Sequence, residues 1–211
     1  MHYGLLAATG SQAALLAELE RHAGQLILGD AVGAPFDAEP AADNDGWVMA
    51  VGELDGRAFI LDSSMVLSDS PDMIVAMSAR LGTVVGCGAE TVSGTYWLIV
   101  ARDGDPERFV FVSHAGMTRG MAVGEPLASE ADHPIEDLDG EGLFAALAHV
   151  GLDASRWLDA GPAFQLRYDG TRFPGKGPIE QIRSEHYRRY QRPQDEWLSE
   201  ITAVVREPGE R

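Results

Sequence analysis

Short apolar runs on either side of Asp-Gly pairs constrain the fold of this chain more than any other feature of its sequence. Such runs flank Asp55-Gly56, Asp103-Gly104 and Asp169-Gly170. Asp-Gly suits the tight turn of a β-hairpin, because both central residues of a type I′ turn need a positive φ. Hairpins pair their strands antiparallel, whereas parallel pairs need long crossovers. The sequence therefore predicts an antiparallel sheet assembled from hairpins.

Helical patterns lie between the groups of predicted strands. Ser11 is the expected N-cap of a helix over 12–23, and Ser70-Pro71 begins a second helix. Asp139 caps a third, over 140–150. The strands are predicted at 3–8, 25–28, 47–54, 57–61, 83–88, 94–102, 108–113, 121–127, 163–168 and 171–173. This order of elements predicts an α+β fold, with an antiparallel sheet and helices packed on one of its faces.

The chain divides into an α+β domain, residues 1–173, and a helical tail, residues 174–211, which we expect to pack on the domain. Residues 33–46 are rich in proline, alanine, glycine and aspartate, which is typical of a loop. This loop follows an N-terminal unit of strand, helix and strand. The tail contains a basic helical pattern over 179–192 and an amphipathic one over 196–205.

The charge of the chain is strongly negative and unevenly distributed. Acidic residues outnumber basic residues by 33 to 16, which gives a net charge of −17. Residues 1–171 carry 26 acids and 8 arginines, a net charge of −18, whereas residues 172–192 carry a net charge of +4. An acidic body repels nucleic acid phosphates and membrane surfaces and attracts basic proteins. We therefore expect a protein partner with a basic surface, although the same charge also favours solubility alone.

The basic segment at 183–192 mixes arginine with tyrosine, and three interpretations of it remain open. It docks on the acidic body of its own chain, it binds another protein, or it stacks on single-stranded nucleic acid. The first is the simplest, because the acidic body belongs to the same chain. Arg188 and Arg189 are its candidate partner contacts.

Few residue patterns in this chain are typical of catalysis. Gly175-Lys176-Gly177 lacks the upstream glycine and the hydroxyl residue of a phosphate-binding loop. Gly86-Cys87-Gly88 lacks the third glycine of a dinucleotide-binding turn. The six histidines form no zinc-binding pair at helical spacing, and a single cysteine permits neither a disulfide nor a multi-cysteine zinc site. We therefore predict no cofactor and no metal.

Cys87, Glu90 and His114 form the best candidate catalytic cluster in the sequence. They lie in or beside consecutive predicted strands. A cysteine partnered by a histidine can act as a nucleophile. The alternative for Cys87 is a small core residue, because valines and glycines surround it.

Composition also suggests a compartment and a source. The N-terminus lacks the basic region of a signal peptide, and the uncharged stretch 91–101 is too short to span a bilayer. We therefore predict a cytoplasmic protein with no membrane contact. One lysine and one asparagine stand against fifteen arginines, which indicates a GC-rich bacterial genome.

The order of elements and the acidity together resemble small bacterial α+β proteins, including the immunity partners of polymorphic toxins. The resemblance lies in 47–61, in the helix after Ser70-Pro71 and in 83–113, and no diagnostic motif accompanies it. It implies a non-catalytic acidic binding protein, an immunity protein or antitoxin that inhibits a basic partner.

Exposed acids near predicted turns are the candidate contacts for such a partner. They are Asp103, Asp105, Glu107, Glu136, Asp137 and Asp139. Two alternatives remain open. One is an enzyme with a non-standard site near Cys87 and His114, and the other is a self-associating structural or assembly subunit that uses an exposed sheet edge or the tail.

Overall fold

The computed structural model describes most of the chain, namely residues 2–33, 47–62, 64–134, 138–149, 151–153, 156, 163–168 and 177–193. The predicted loop from residue 34 onward and the amphipathic pattern at 196–205 lie outside these residues. The strands are β1 (His2–Thr9), β2 (Leu26–Val32), β3 (Trp47–Leu54), β4 (Arg57–Asp62), β5 (Thr83–Glu90), β6 (Thr95–Arg102), β7 (Asp105–Ser113), β8 (Met121–Gly124) and β9 (Ala163–Tyr168). The helices are α1 (Gln12–Ala23), α2 (Pro71–Leu81), α3 (Gly140–His149), α4 (Pro178–Tyr190) and a short 3₁₀ helix (Ala128–Ala131).

The described strands form one open antiparallel sheet in the order β2-β9-β3-β4-β1-β5-β6-β7-β8. This arrangement confirms the predicted α+β class. The N-terminal strand β1 lies at the centre of the sheet, between β4 and β5. The two edges are β2 and β8.

Two of the predicted hairpin turns join neighbouring strands. Asp55 and Gly56 connect β3 to β4 with φ angles of 51° and 73°, and Asp103 and Gly104 connect β6 to β7 with φ angles of 52° and 92°. Few residue types adopt such angles without strain, which explains the Asp-Gly pairs. The third pair, Asp169-Gly170, lies outside the described residues. The strand before it, β9, lies between β2 and β3 and pairs with both.

Most helix starts follow the predicted capping chemistry. The Ser11 hydroxyl oxygen accepts a hydrogen bond from the first turn of α1, and the Asp139 carboxylate accepts two from the first turn of α3. Ser70 differs from the prediction, because its hydroxyl donates to the Val66 carbonyl and makes no capping bond to α2. Pro71, which has no N–H to satisfy, begins that helix.

Helices cover both faces of the sheet. Along β1, Leu5 and Ala7 join a core cluster that includes α3, whereas Leu6 and Ala8 join a cluster that includes α1 and α2. We call these the α3 face and the α1–α2 face. The prediction placed the helices on one face, and the structure adds α3 on the other. The central strands β5 and β6 are buried on both sides, so each face needs a cover.

One buried carboxylate holds the loop between β4 and α2. Asp62 accepts hydrogen bonds from the backbone N–H groups of Leu67 and Ser68, at 2.8 and 2.9 Å. The Trp97 indole N–H donates to the Ser68 carbonyl at 3.0 Å. This loop leads directly into Asp69 and therefore determines where that side chain meets α4.

Candidate functional site

Cys87 lies in the middle of β5 with no solvent exposure. Its cross-strand neighbours are Leu5 of β1 and Leu98 of β6, and all three belong to the core of the α3 face. Burial raises the pKa of the Cys87 thiol to about 12. A cysteine nucleophile reacts as the thiolate. The position of Cys87 therefore fits the core alternative.

We expect the Cys87 thiol to be unreactive in the folded protein. At mildly alkaline pH, an aromatic disulfide reagent should label fewer than about one native chain in twenty, because the thiol is both buried and protonated. The same reagent should label every chain in denaturant, which controls for the chemistry of the thiol. Rapid labelling of the native protein would show that solvent reaches this residue.

Glu90 and His114 lie apart from Cys87. Glu90 is three positions further along the same regular strand, so the alternation of side chains places it on the opposite face. His114 is exposed, and its Nε2 donates to the Leu138 carbonyl at 3.0 Å, on the α3 side. The structure therefore does not bring the three predicted catalytic residues together.

Glu90 belongs instead to a network of hydroxyl groups at the end of three strands. The Ser93 hydroxyl donates to the Glu90 carboxylate at 2.7 Å and lies 2.7 Å from the Thr95 hydroxyl. The Thr95 hydroxyl in turn lies 2.9 Å from that of Ser113, which is 6% exposed. The network joins the ends of β5, β6 and β7. It escaped the sequence analysis because serine and threonine follow no spacing that would indicate such a contact.

The predicted acidic contacts fall into two groups. Asp103, Asp105 and Glu107 are exposed at the turn between β6 and β7, where the Glu107 carboxylate lies 3.2 Å from the Arg102 guanidinium. Asp139 caps α3 at the opposite end of the strands. Eight residues of β6 separate the two ends by about 25 Å. Glu136 and Asp137 lie outside the described residues.

A longer run of acids lies within residues 124–142, which extend from Gly124, opposite Arg108 near the β6–β7 turn, to Asp139 at the other end of the strands. Residues 124–142 contain seven acids and neither lysine nor arginine. Among the described residues, Glu125, Asp132, Asp139 and Glu141 are exposed, and no described base pairs with them. We call these four residues the acidic border.

A buried arginine joins β7 to the chain between Glu125 and Asp132 of the acidic border. Arg108 of β7 is 2% exposed and donates from Nε to Glu130 in the 3₁₀ helix at 2.8 Å. Its Nη2 pairs with the same carboxylate, and its Nη1 donates to the Val123 and Gly124 carbonyls. Every donor group of Arg108 is thus engaged inside the molecule, which leaves the border itself without a cation.

The basic helix α4 docks on the body of its own chain. The Asp72 carboxylate accepts hydrogen bonds from the backbone N–H groups of Ile179 and Glu180, both at 3.0 Å, and so caps α4. Arg183 forms ion pairs with Asp69 and Glu180. Residues 177–193 thus contact the body of their own chain.

Among the described residues, Arg188 and Arg189 form no ion pair with the body of the chain. Both are exposed. Arg188 donates from Nε to the Ser184 carbonyl within α4, and the Arg189 guanidinium lies 5.6 Å from the Tyr190 ring centroid. Neither contacts any of the predicted acidic residues, so the arginine and acid candidates belong to different surfaces.

A cavity of about 370 Å³ lies between α4 and β7. Its walls include Asp69, Phe111, Arg183, Tyr187 and Arg188. The Arg183 guanidinium carbon lies 5.2 Å from the centre of the Phe111 ring, a cation–π contact. The volume is that of a small-molecule site. Arg183 is paired with Asp69 and Glu180 in this cavity, whereas the Arg188 guanidinium at its wall donates to the Ser184 carbonyl.

The carboxyl group of Asp69, which lines this cavity, has a shifted pKa. Burial raises the pKa of its carboxyl to about 6, although the neighbouring Arg183 opposes the rise. A carboxyl whose pKa is raised in the folded state stabilises the fold below its unfolded pKa of 3.8, and this contribution is lost as the pH rises through about 6.

We therefore expect Asp69→Asn to flatten the pH dependence of stability between about pH 4 and pH 6. Over this window the free energy of unfolding of the wild-type protein should fall by about 1–2 kcal/mol, and that of the variant should not. The expected fall is smaller than the full pKa shift implies, because the Asp69 side chain is still 30% exposed. Urea unfolding at several pH values measures the effect, and Asp103→Asn, an exposed acid, is the control. If the stability of wild type and of Asp69→Asn changed in parallel with pH, Asp69 would not be the cause of the pH dependence.

Within the described residues, no three or more histidine, cysteine, aspartate or glutamate side chains cluster closely enough to hold a metal ion. Nor does any helix there combine the length and apolar character that a membrane span requires. No protein-family model, no curated protein and no solved structure matches this chain.

Proposed function

We propose that this protein is a non-catalytic binding protein that recognises a basic protein partner, in the manner of an immunity protein or antitoxin of the bacterial cytoplasm. The observation that carries the proposal is the acidic border, four exposed acids with no described base beside them. An uncompensated acidic surface attracts a basic protein over several ångströms of solvent and raises the rate of encounter.

Exposed apolar side chains next to the border supply contacts of a second kind. Val123 of β8 is 45% exposed and lies two residues before Glu125. Phe144 of α3 is 36% exposed and lies one helical turn after Glu141. Protein interfaces commonly combine apolar or aromatic anchors with a charged rim. Val123 lies on the α1–α2 face and Phe144 on the α3 face, so they adjoin different parts of the border.

The positions of Cys87, Glu90 and His114 support a role without catalysis. The thiol is buried, and the other two residues lie on different sides of the sheet. The neutralisation of Arg183 by two carboxylates likewise leaves the cavity under α4 without a free charge from that residue.

The partner is to be captured first and its binding kinetics measured second. Tagged protein is incubated with an extract of the source organism, washed at low and high salt, and the retained proteins are identified by mass spectrometry. We expect a single basic protein, in near-stoichiometric amount, whose retention falls as the salt concentration rises.

The border is then tested against acids elsewhere on the surface. The border variant is Glu125→Gln/Asp132→Asn/Glu141→Gln, which leaves Asp139 to cap α3. The control variant, Glu20→Gln/Asp30→Asn/Glu185→Gln, removes the same number of charges from exposed positions elsewhere.

We expect the border variant to bind the captured protein with an association rate about tenfold lower at low salt, and the control variant to change it less than about twofold. Equal effects of the two variants would mean that net charge alone, and not the border, attracts the partner. Failure to capture any basic protein would contradict the proposed function and favour the enzyme alternative.

A further inference from the structure

The edge strand β2 is exposed along most of its length. Residues 27–31 are all exposed, and Ile27 and Leu28 retain 53% and 49% of their accessible surface. On its inner side β2 pairs with β9, and no strand among the described residues pairs with its outer side. A sheet edge of this length with exposed aliphatic side chains is a template for a further strand.

The position of the two aliphatic residues indicates what covers them. Leu26, Ile27 and Leu28 are in regular register with β9, so Ile27 and Leu28 point to opposite faces of the sheet. A helix packed on one face would cover only one of them. The side chains of an added strand alternate between both faces and would cover both. The occupant of this edge is therefore a strand.

Charge distinguishes between the possible strands. From Gly24 to Gly33 the sequence contains one charged residue, Asp30, although charged residues make up 23% of the chain. This edge therefore offers little to a highly charged partner. It is also the place where two acidic copies of the molecule can approach with least repulsion. A second β2 has the matching pattern of apolar residues on both faces.

We infer that the outer edge of β2 binds the β2 strand of a second copy of this chain, in an antiparallel pair about a two-fold axis. The dimer continues the sheet from one protomer into the next. Each copy has one β2 edge, so a two-fold pair uses both edges and closes. A bulge between Leu28 and Ala31 limits the regular part of the edge. This inference is independent of the basic partner proposed above.

Like charge gives the dimer a diagnostic response to salt. Each copy carries a net charge of −17, so raising the salt concentration should screen the repulsion and tighten the dimer on the order of tenfold. Binding of a basic partner has the opposite dependence. Analytical ultracentrifugation of the purified chain over a range of protein and salt concentrations measures this response.

Two variants test the location of the interface. Ile27→Gln/Leu28→Gln removes the exposed aliphatic pair on β2, and we expect it to weaken the dimer by about a hundredfold or more. Val92→Gln/Ile182→Gln removes two aliphatic side chains that are 86% and 53% exposed elsewhere, and it should dimerise as the wild type does. Both pairs are exposed, so circular dichroism should show that both variants fold.

A cysteine scan from 26 to 32 tests the strand pairing itself, with Val92→Cys as the control. The scan is interpretable because the native Cys87 is buried. Oxidation should link two copies at one or two positions within β2 and at no others. A monomer at every concentration, a dimer that survives Ile27→Gln/Leu28→Gln, or a dimer without a cross-link in β2 would each overturn the inference.

Discussion

Asp62→Ala should destabilise the protein by about 3–5 kcal/mol, because each buried donor that loses its acceptor costs about 1–3 kcal/mol. Asp62 has no solvent exposure, and its carboxylate accepts from the backbone N–H groups of Leu67 and Ser68 and from the Ser68 hydroxyl. It also accepts from the backbone and hydroxyl of Ser64. Alanine removes the acceptor for all of these donors and leaves the loop buried.

Urea unfolding at neutral pH measures this loss as a fall in the midpoint and in the extrapolated free energy. Asp62→Asn retains one carbonyl oxygen as an acceptor and should lose about half as much. Asp132→Ala, at an exposed position, should remain within about 0.5 kcal/mol of wild type. If Asp62→Ala lost less than about 1 kcal/mol, the loop between β4 and α2 would not depend on this carboxylate.

Glu130→Ala should have an effect of similar size, about 3–5 kcal/mol, because it leaves a buried guanidinium without its counter-ion. The Arg108 side chain is 3% exposed and that of Glu130 12% exposed. Glu130 also accepts from the Leu127 N–H at 3.0 Å, so the turn into the 3₁₀ helix loses its anchor together with the ion pair. Glu130→Ala should therefore perturb the acidic border as well as lower the free energy of unfolding.

The double variant Arg108→Met/Glu130→Leu separates the cost of a stranded charge from the value of the ion pair. Well-packed apolar residues often replace a buried ion pair with little loss. We expect the double variant to recover at least about half of the stability that Glu130→Ala loses, by urea unfolding. A double variant as unstable as the single one would mean that the Arg108–Glu130 pair itself, and not the unpaired charge, supplies the stability.

The local features of the fold were predictable because their causes lie within a few residues. The turns at Asp55-Gly56 and Asp103-Gly104 need positive φ angles, and Asp139 caps α3 through N–H groups two and three positions ahead. Short apolar runs rich in β-branched and aromatic residues identified most of the strands. Ser70 shows the limit of such rules, because the nearby Val66 carbonyl competes for its hydroxyl.

The order of the strands was not predictable in the same way. β9 inserts between β2 and β3, and β1 pairs with β4 and β5, although long stretches of sequence separate these partners. Several strands in this chain have similar apolar patterns, so any of them satisfies the local rules for pairing. Only the simultaneous burial of both faces selects one arrangement.

The candidate surfaces likewise combine local features that the sequence predicts with long-range contacts that it does not. Sequence alone determined that the chain is acidic, that its strands pair antiparallel, and that Cys87 sits among small apolar residues, because these are properties of composition and of neighbours along the chain. Tertiary structure decided that Asp69 and Asp72 meet α4 more than a hundred residues later. It also decided that Arg108 neutralises Glu130 and leaves the acidic border free, and that β2 lies at an edge. Each of these features depends on segments that are distant in sequence. The packing of the whole sheet determines where those segments lie relative to one another.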